Sequence, residues 1–303
     1  MIPRNFLLEW AERTPWPEQD QVEQDLILSR AITAIFADDF LAERLAFRGG
    51  TALNKLLLPA AYRYSEDIDL VQVIPEPIGP VLDRLRLVLD SWLGKANSEI
   101  KENAAKLRYR CVSETGVARK LKIEINTREH GAHLGYDTHD FSVHTRWFKG
   151  QASVRTFQLE EILATKLRAL LQRDKGRDLF DLKQAADTFP NLDHDKVVDI
   201  FQKYLVNTGT VISRAVAEDR VLAKLERGTA LDDVGPLVPL AMAGAVTTEA
   251  SMSAAAYVLT CLAAKVPGAP SELTADRVER LGLQSYMGLA ADICARPSSS
   301  FGR

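Results

Sequence analysis

Residues 47–55 of the chain read FRGGTALNK, and residues 64–71 read YSEDIDLV. The apolar run that ends at Phe47 is typical of a buried strand, and the two glycines after it allow a tight turn with close backbone approach. From Thr51 onward the apolar spacing is that of a helix. A helix that begins here points free N–H groups and positive dipole at the turn, which predicts a phosphate site. Thr51 would act there as a cap or as a phosphate donor.

The second stretch places two carboxylates on one face of a strand. Successive side chains alternate faces, so Asp67 and Asp69 lie together while Ile68 and Leu70 face the other way. Two carboxylates among apolar residues repel each other and lose solvation, which a bound divalent cation would offset. Mg²⁺ takes one or two carboxylates together with substrate phosphates. The alternative is a pair that only faces water at a sheet edge, but the glycine turn before it favours the metal.

The composition is that of a globular protein. The chain has 303 residues, 46% of them hydrophobic and 26% charged, enough for one large domain or two ordinary ones. The formal net charge is −3, yet residues 101–177 hold sixteen Lys/Arg and nine Asp/Glu, a net of +7. This basic segment is consistent with a binding site for a polyanion. The alternative is that the basic residues cluster by chance on a solvated face.

Cysteine usage and apolar runs bear on localisation. Cys111, Cys261 and Cys294 are far apart and form no CxxC pair, which predicts reduced thiols in the cytoplasm. We expect no signal peptide at the charged start of the chain. The longest apolar run, residues 254–264, is too short to span a bilayer and predicts a buried helix.

Helices and strands are predicted to alternate in the first half. Amphipathic helices are expected over residues 22–37 and 81–93. A β-hairpin is expected over residues 107–113 and 121–126, with Gly116 in its turn.

A helical second half follows the sheet. Residues 141–149 predict a last strand, and residues 151–156 predict a connector to a region of helices. We place the domain boundary between a core over residues 1–152 and a helical domain over residues 153–303. The end of the chain from Pro297 is expected to be a loose tail.

A third carboxylate lies on the second strand of the predicted hairpin. Alternation puts Lys122, Glu124 and Asn126 on the face opposite the apolar residues. If this strand lies beside the Asp-x-Asp strand, Glu124 can join the two aspartates. A solvated glutamate on a strand face is the alternative.

Four histidines lie in a Gly/Asp-rich stretch. Their spacings match no standard zinc site, so loop histidines are expected, one of which could touch substrate. The four are His130, His133, His139 and His144.

A lysine stands within the apolar stripe of the helix predicted over residues 158–173. Lys166 turned inward needs an anionic partner, because its desolvation is otherwise strongly unfavourable. Arg177, Asp178 and Asp181 follow, the two aspartates on one face of the next helix. The alternative is a snorkelling lysine followed by a solvated charge run.

Gly49-Gly50-Thr51 followed by Asp67-x-Asp69 resembles the signature of the polymerase-beta-like nucleotidyltransferase fold. The fuller wording of both stretches resembles the AbiEii/AbiGii toxins, which are the toxin halves of bacterial toxin–antitoxin and phage-defence pairs. The resemblance covers roughly residues 25–190 and implies an α+β fold: a small mixed sheet with helices, then a mostly α-helical C-terminal half. Thr51 stands where many nucleotidyltransferases have Ser, which keeps the hydroxyl.

The resemblance implies a function and a set of partners. The enzyme would transfer NMP from NTP to RNA, at the tRNA 3′ end, which would block aminoacylation and stop growth. It would use two Mg²⁺ ions and pair with an antitoxin protein encoded nearby. A core of this kind could instead modify a small molecule or a protein, or be an inactive relative that only binds nucleotide or partner.

The resemblance also assigns roles to residues. Either Glu124 or Asp178 would be the third essential carboxylate, and Lys166 would contact the nucleotide phosphates. A modification of Ser65 would place charge beside the metals, with a plain structural serine as the alternative. The predicted catalytic residues are Asp67, Asp69, Glu124, Lys166 and Asp178. The predicted nucleotide-binding residues are Gly49, Gly50, Thr51, Ser65, Lys166 and Arg177, and the predicted metal ligands are Asp67, Asp69 and Glu124.

Overall fold

The computed structural model describes residues 2–114, 116–228 and 230–295. The chain divides into two compact units, Met1–Gln158 and Leu159–Arg303. The predicted boundary between residues 152 and 153 falls inside the last strand of the sheet. The loose tail predicted from Pro297 lies outside the described residues.

The first unit combines five helices among its described residues with one sheet. The helices are α1 (Arg4–Ala11), α2 (Gln19–Phe36), α3 (Asp39–Arg44), α4 (Gly49–Ala52), which continues as a π-helical turn over Leu53–Leu57, and α5 (Gly79–Leu93). The strands are β1 (Leu45–Arg48), β2 (Asp67–Gln72), β3 (Asn97–Lys101), β4 (Ala104–Val112), β5 (Ala118–Asn126), β6 (Tyr136–His144) and β7 (Lys149–Phe157).

These strands form one mixed sheet of seven strands, in the order β3-β4-β5-β2-β1-β7-β6. Strand β2 runs antiparallel to β1 and parallel to β5, so it lies inside the sheet. The predicted fold class, α+β with a small mixed sheet, is confirmed. The Asp-x-Asp pair therefore does not lie on an edge strand, and the edge alternative is wrong.

One face of the sheet is the core of this unit. Leu107 and Tyr109 of β4 and Leu121 and Ile123 of β5 are fully buried. The Tyr109 hydroxyl donates to the carboxylate of Asp90 on α5 at 2.9 Å, which places this helix over the buried face. Because side chains alternate, the other face of β4 and β5 carries their polar residues.

The predicted hairpin is confirmed, since β4 and β5 pair antiparallel along their length. Two other predictions are corrected. The single strand predicted over residues 141–149 is the end of β6, a turn and the first residue of β7. The connector predicted over residues 151–156 is wrong, because these residues lie in β7, which pairs with β6 on one side and β1 on the other. Accordingly His139 and His144 lie in β6, not in a loop.

The second unit is helical in its described residues. Its α-helices are α6 (Leu159–Gln172), α7 (Gly176–Thr188), α8 (His194–Asn207), α9 (Arg214–Glu226), α10 (Thr248–Tyr257), α11 (Thr274–Arg280) and α12 (Gln284–Cys294). Short 3₁₀ segments cover Gly235–Leu237, Leu240–Ala245 and Ala263–Lys265, and Val258–Leu262 is π-helical. Among the described residues, no helix has the length and apolar character needed to cross a bilayer.

Two of the three cysteines are joined. Cys261 and Cys294 form a disulfide, with their Cα atoms 5.4 Å apart and a sequence separation of 33. The prediction of reduced thiols is wrong for this pair, because the π-helical turn that holds Cys261 packs against α12. Cys111 is free.

Candidate active site

Gly49 brings the backbone against Asp69. Its φ is +82°, in the region that favours glycine, and a Cβ at this position would collide with the Asp69 carboxylate. Helix α4 begins at Gly49, and Arg48 before it lies opposite Asp69 in the β1–β2 register. The start of the helix, whose first N–H groups have no partner within the helix, thus lies beside a carboxylate, and glycine places no side chain between them.

Thr51 ties the helix to the loop before β2. The buried Thr51 hydroxyl donates to the carbonyl oxygen of Asp67 at 2.6 Å and lies 2.7 Å from the Ser65 hydroxyl. The capping role is wrong, because the helix already begins at Gly49 and no side chain caps it. These bonds hold Asp67 at the start of its strand; the phosphate-binding roles of Thr51 and Ser65 stay predictions.

The parallel register of β2 and β5 assembles the acidic pair with a lysine. Asp67 lies opposite Lys122, and Asp69 lies opposite Glu124. The ammonium of Lys122 is 2.7 Å from Asp67 Oδ2 and 3.6 Å from Glu124 Oε2, and Lys106 of β4 is 3.0 Å from Glu124 Oε1. On this face of the sheet, the pairing of β2, β5 and β4 therefore places acidic and basic side chains next to each other.

The charge of Lys122 responds to these neighbours. Burial lowers the pKa of Lys122, but its hydrogen bond to Asp67 and the nearby carboxylates outweigh burial and raise the pKa overall. The Asp67 and Glu124 side chains are 30% and 31% exposed, so both can be reached from solvent. The Lys122 ammonium therefore offsets part of the repulsion between carboxylates that a divalent cation was expected to offset.

The two aspartates fit a divalent cation. They present hard oxygen ligands beside a turn that only glycine can form, and Mg²⁺ needs no more than one or two carboxylates when phosphates complete its shell. In residues 2–114, 116–228 and 230–295, no group of three or more His, Cys, Asp or Glu is arranged to hold a metal. Glu124, engaged by two lysines, therefore stays a predicted ligand.

Sequence reasoning missed three basic residues at this site. Lys122, Lys106 and Arg48 stand directly beside the acidic group in the strand register. The alternation within β5 already placed Lys122 on the face of Glu124. What the sequence did not show was which strand lies next to β2.

The second predicted patch forms a buried ion network within the helical unit. Lys166 is 2.8 Å from Asp181 and 3.3 Å from Asp178, and Arg173 donates two bonds to Asp178 at 2.7 and 2.9 Å. Lys166, Asp178 and Asp181 are at most 5% exposed. The network supplies the anionic partner that an inward lysine requires, so the snorkelling alternative is wrong.

Arg177 differs from its neighbours in the network. It is half-buried, and among the described residues it makes no ion pair. Its contact with a nucleotide stays a prediction, as do the catalytic roles of Lys166 and Asp178.

Comparison with solved structures supports the fold. MenT4, a nucleotidyltransferase toxin from Mycobacterium tuberculosis H37Rv, is similar with a TM-score of 0.61 and 19% identity, covering 99% of this chain and 100% of that one. JHP933 from Helicobacter pylori has a TM-score of 0.49 and 17% identity, over 91% of this chain and 99% of that one. At 19% identity the likeness to MenT4 is one of fold alone. A comparison with curated proteins gives no match.

The family model is more specific than the fold. The model described as "Nucleotidyl transferase AbiEii toxin, Type IV TA system" matches residues 30–252, which is most of the chain. The match contains both the glycine turn against Asp69 and the buried network around Lys166. The resemblance seen in the sequence is confirmed: the chain belongs to the AbiEii nucleotidyltransferase toxins of type IV toxin–antitoxin systems.

Proposed function

We propose that this toxin transfers NMP from NTP to the 3′ end of an RNA, that tRNA is the acceptor, and that two Mg²⁺ ions are held by Asp67 and Asp69. The modified tRNA could no longer be aminoacylated, so translation would stop. The observation that carries the proposal is the contact of the Gly49 turn with the Asp69 carboxylate. This close approach supports a shared site, because N–H groups at the start of a helix suit phosphate and carboxylate oxygens suit Mg²⁺.

The reaction is a displacement at the α-phosphorus of the NTP. The oxygen of the RNA 3′ hydroxyl forms a bond to the α-phosphorus and its proton passes to water. The bond from the α-phosphorus to the oxygen that bridges it to the β-phosphate breaks, and pyrophosphate leaves. Divalent ions, when bound, lower the pKa of the attacking hydroxyl and neutralise the charge of the leaving group. The chain itself contributes position: the turn at Gly49 and Gly50 holds phosphate oxygens, and the two aspartates fix the reacting centre relative to that turn.

The direct test is transfer of label. Wild-type protein is incubated with Mg²⁺, total tRNA and each NTP labelled at its α-phosphate, and the RNA is resolved on a denaturing gel. We expect label on RNA with at least one NTP and none with Asp67→Asn, whose side chain is isosteric and whose thermal melting curve should match the wild type. Label on protein or on small molecules, with none on RNA, would replace this proposal by the corresponding alternative.

A second test concerns the antitoxin. We propose that a neighbouring gene encodes a protein that neutralises this toxin. Expression of the wild type in a bacterium should arrest growth, and co-expression of the neighbouring gene should restore it. The Asp67→Asn variant should not arrest growth at equal protein levels.

A further inference from the structure

One face of the sheet beyond the two aspartates is strongly basic. The registers of β3 with β4 and of β4 with β5 place its side chains on the same side as Asp67 and Asp69. This basic face carries six cationic side chains and two carboxylates. The cations are Lys101, Lys106, Arg108, Arg110, Lys120 and Lys122, and the carboxylates are Glu99 and Glu124.

Like charges stand directly opposite each other on this face. Arg108 pairs in register with Lys122, and Arg110 pairs in register with Lys120. Such cross-strand pairs are destabilising, because their side chains lie about 5 Å apart. Because these like-charged pairs lower the stability of the fold, we expect an anion to bind them and offset their repulsion.

The pair nearer to the aspartates, Arg108 and Lys122, is the inner pair, and Arg110 and Lys120 are the outer pair. Each member of the inner pair has a carboxylate partner within the protein. Arg108 is 2.7 Å from Glu99, and Lys122 is 2.7 Å from Asp67. The outer pair has none: Arg110 and Lys120 are exposed, and neither makes an ion pair within residues 2–114, 116–228 and 230–295. The uncompensated positive charge is thus confined to the outer pair.

The outer pair is continuous with the acidic site. Lys120 precedes Lys122 by two residues, about 6.7 Å along the strand, and Lys122 lies opposite Asp67. An extended polyanion held by the outer pair would therefore run along the face toward the aspartates. Besides its charges, the basic face has only small, amide or aliphatic side chains, so it offers no aromatic platform on which bases could stack.

We propose that Arg110 and Lys120 hold the phosphodiester backbone of the acceptor RNA and lead its 3′ end to Asp67 and Asp69. The proposal rests on the proposed function and adds the surface that receives the substrate. Because the contacts are to phosphates, binding depends on salt and not on base sequence. An acidic protein partner would use the same charges, and the test distinguishes it.

The test compares two double variants that each remove two exposed cations. Arg110→Ala/Lys120→Ala changes the basic face, and Arg4→Ala/Arg13→Ala is the matched control at α1 and just after it. The probe is a fluorescently labelled RNA hairpin with a single-stranded 3′ end, and its Kd is measured by anisotropy at several KCl concentrations. A second RNA of different sequence and equal length tests sequence dependence.

We expect the Arg110/Lys120 variant to bind about tenfold more weakly at low salt, and the slope of log K against log salt to fall by about 1.4, for two phosphate contacts on a single strand. The control should match the wild type, and both variants should bind NTP as the wild type does. An unchanged Kd and slope in the Arg110/Lys120 variant would overturn the proposal. The proposal would also be overturned if the Arg110/Lys120 variant still bound RNA but no longer bound the protein encoded by the neighbouring gene.

Failure of this proposal is distinguishable from failure of the proposed function. Asp67→Asn should still bind the probe, because it leaves the outer pair intact. If RNA binds through Arg110 and Lys120 in a salt-dependent way but no NMP is transferred to it, the proposed activity is wrong and the proposed RNA-binding surface is supported. If the double variant transfers NMP to RNA as the wild type does, only the proposed RNA-binding surface is wrong.

Discussion

Lys122 Nζ lies 2.7 Å from Asp67 Oδ2, an oxygen of one of the two carboxylates proposed to bind divalent cations. The pair is set by the parallel register of β2 and β5. Because of this ion pair, a divalent cation that binds Asp67 must compete with the Lys122 ammonium.

Replacing Lys122 by Met should tighten metal binding. An ion pair of this partly exposed kind is worth about 1 kcal/mol, so Mn²⁺ affinity should rise about fivefold. Isothermal titration calorimetry with Mn²⁺ measures it, and Lys95→Met, an exposed lysine without an ion pair among the described residues, is the control. Equal or weaker Mn²⁺ binding in Lys122→Met would show that the two cations do not compete.

Lys106→Met tests the predicted role of Glu124 with the same titration. Lys106 is 3.0 Å from Glu124, and releasing this carboxylate should raise Mn²⁺ affinity only if Glu124 is a ligand. We expect an increase comparable to that of Lys122→Met. No change would remove Glu124 from the ligand set.

Gly49→Ala should damage both stability and metal binding. Positive φ strains any other residue by about 1–3 kcal/mol, and the new methyl group would displace the Asp69 carboxylate. Gly94→Ala is a matched control, because Gly94 has a φ of +77° and nothing within 4 Å of an added Cβ. Both variants should melt at lower temperature in thermal denaturation, but only Gly49→Ala should lose Mn²⁺ binding. Retained Mn²⁺ affinity in Gly49→Ala would refute the close approach.

Asp178→Asn should destabilise the helical unit strongly. It leaves Lys166 and Arg173 with one carboxylate fewer, and breaking a buried pair costs about 3–5 kcal/mol. The control is Asp187→Asn, which breaks an exposed pair with Lys183 worth about 0.3–0.5 kcal/mol. Urea unfolding compares the two. Similar free energies of unfolding in both variants would mean that the network does not stabilise the fold.

Stability should fall as pH drops through the range where histidine titrates. Burial lowers the pKa of His194 below its ordinary value of about 6.5, so the folded chain holds it neutral. Below pH 6.5 the unfolded chain binds the proton first, so this contribution is present above that pH and is lost on acidification toward the folded pKa. His194→Gln should reduce the loss of stability between pH 7.5 and 5.5 in urea unfolding, and the exposed His144→Gln should not. Parallel pH profiles for wild type and His194→Gln would contradict the burial argument.

Local sequence determined the elements around the site. Glycines before an apolar helical pattern predicted the turn at Gly49, and strict alternation placed Asp67 and Asp69 on one face of a strand. Both follow from backbone sterics and side-chain period, which act over a few residues. The hairpin of β4 and β5 was predicted for the same reason.

Only the tertiary structure decided what stands next to these elements. The neighbours of β2 come from residues 45–48 and 118–126, and no local pattern says that Lys122 will face Asp67 or that Arg110 will face Lys120. The Cys261–Cys294 disulfide and the burial of Lys166 against Asp181 likewise depend on packing between separate helices. Strand order, register and helix packing are set by burial over the whole chain. The sequence therefore specified the reactive groups, and the fold specified their partners.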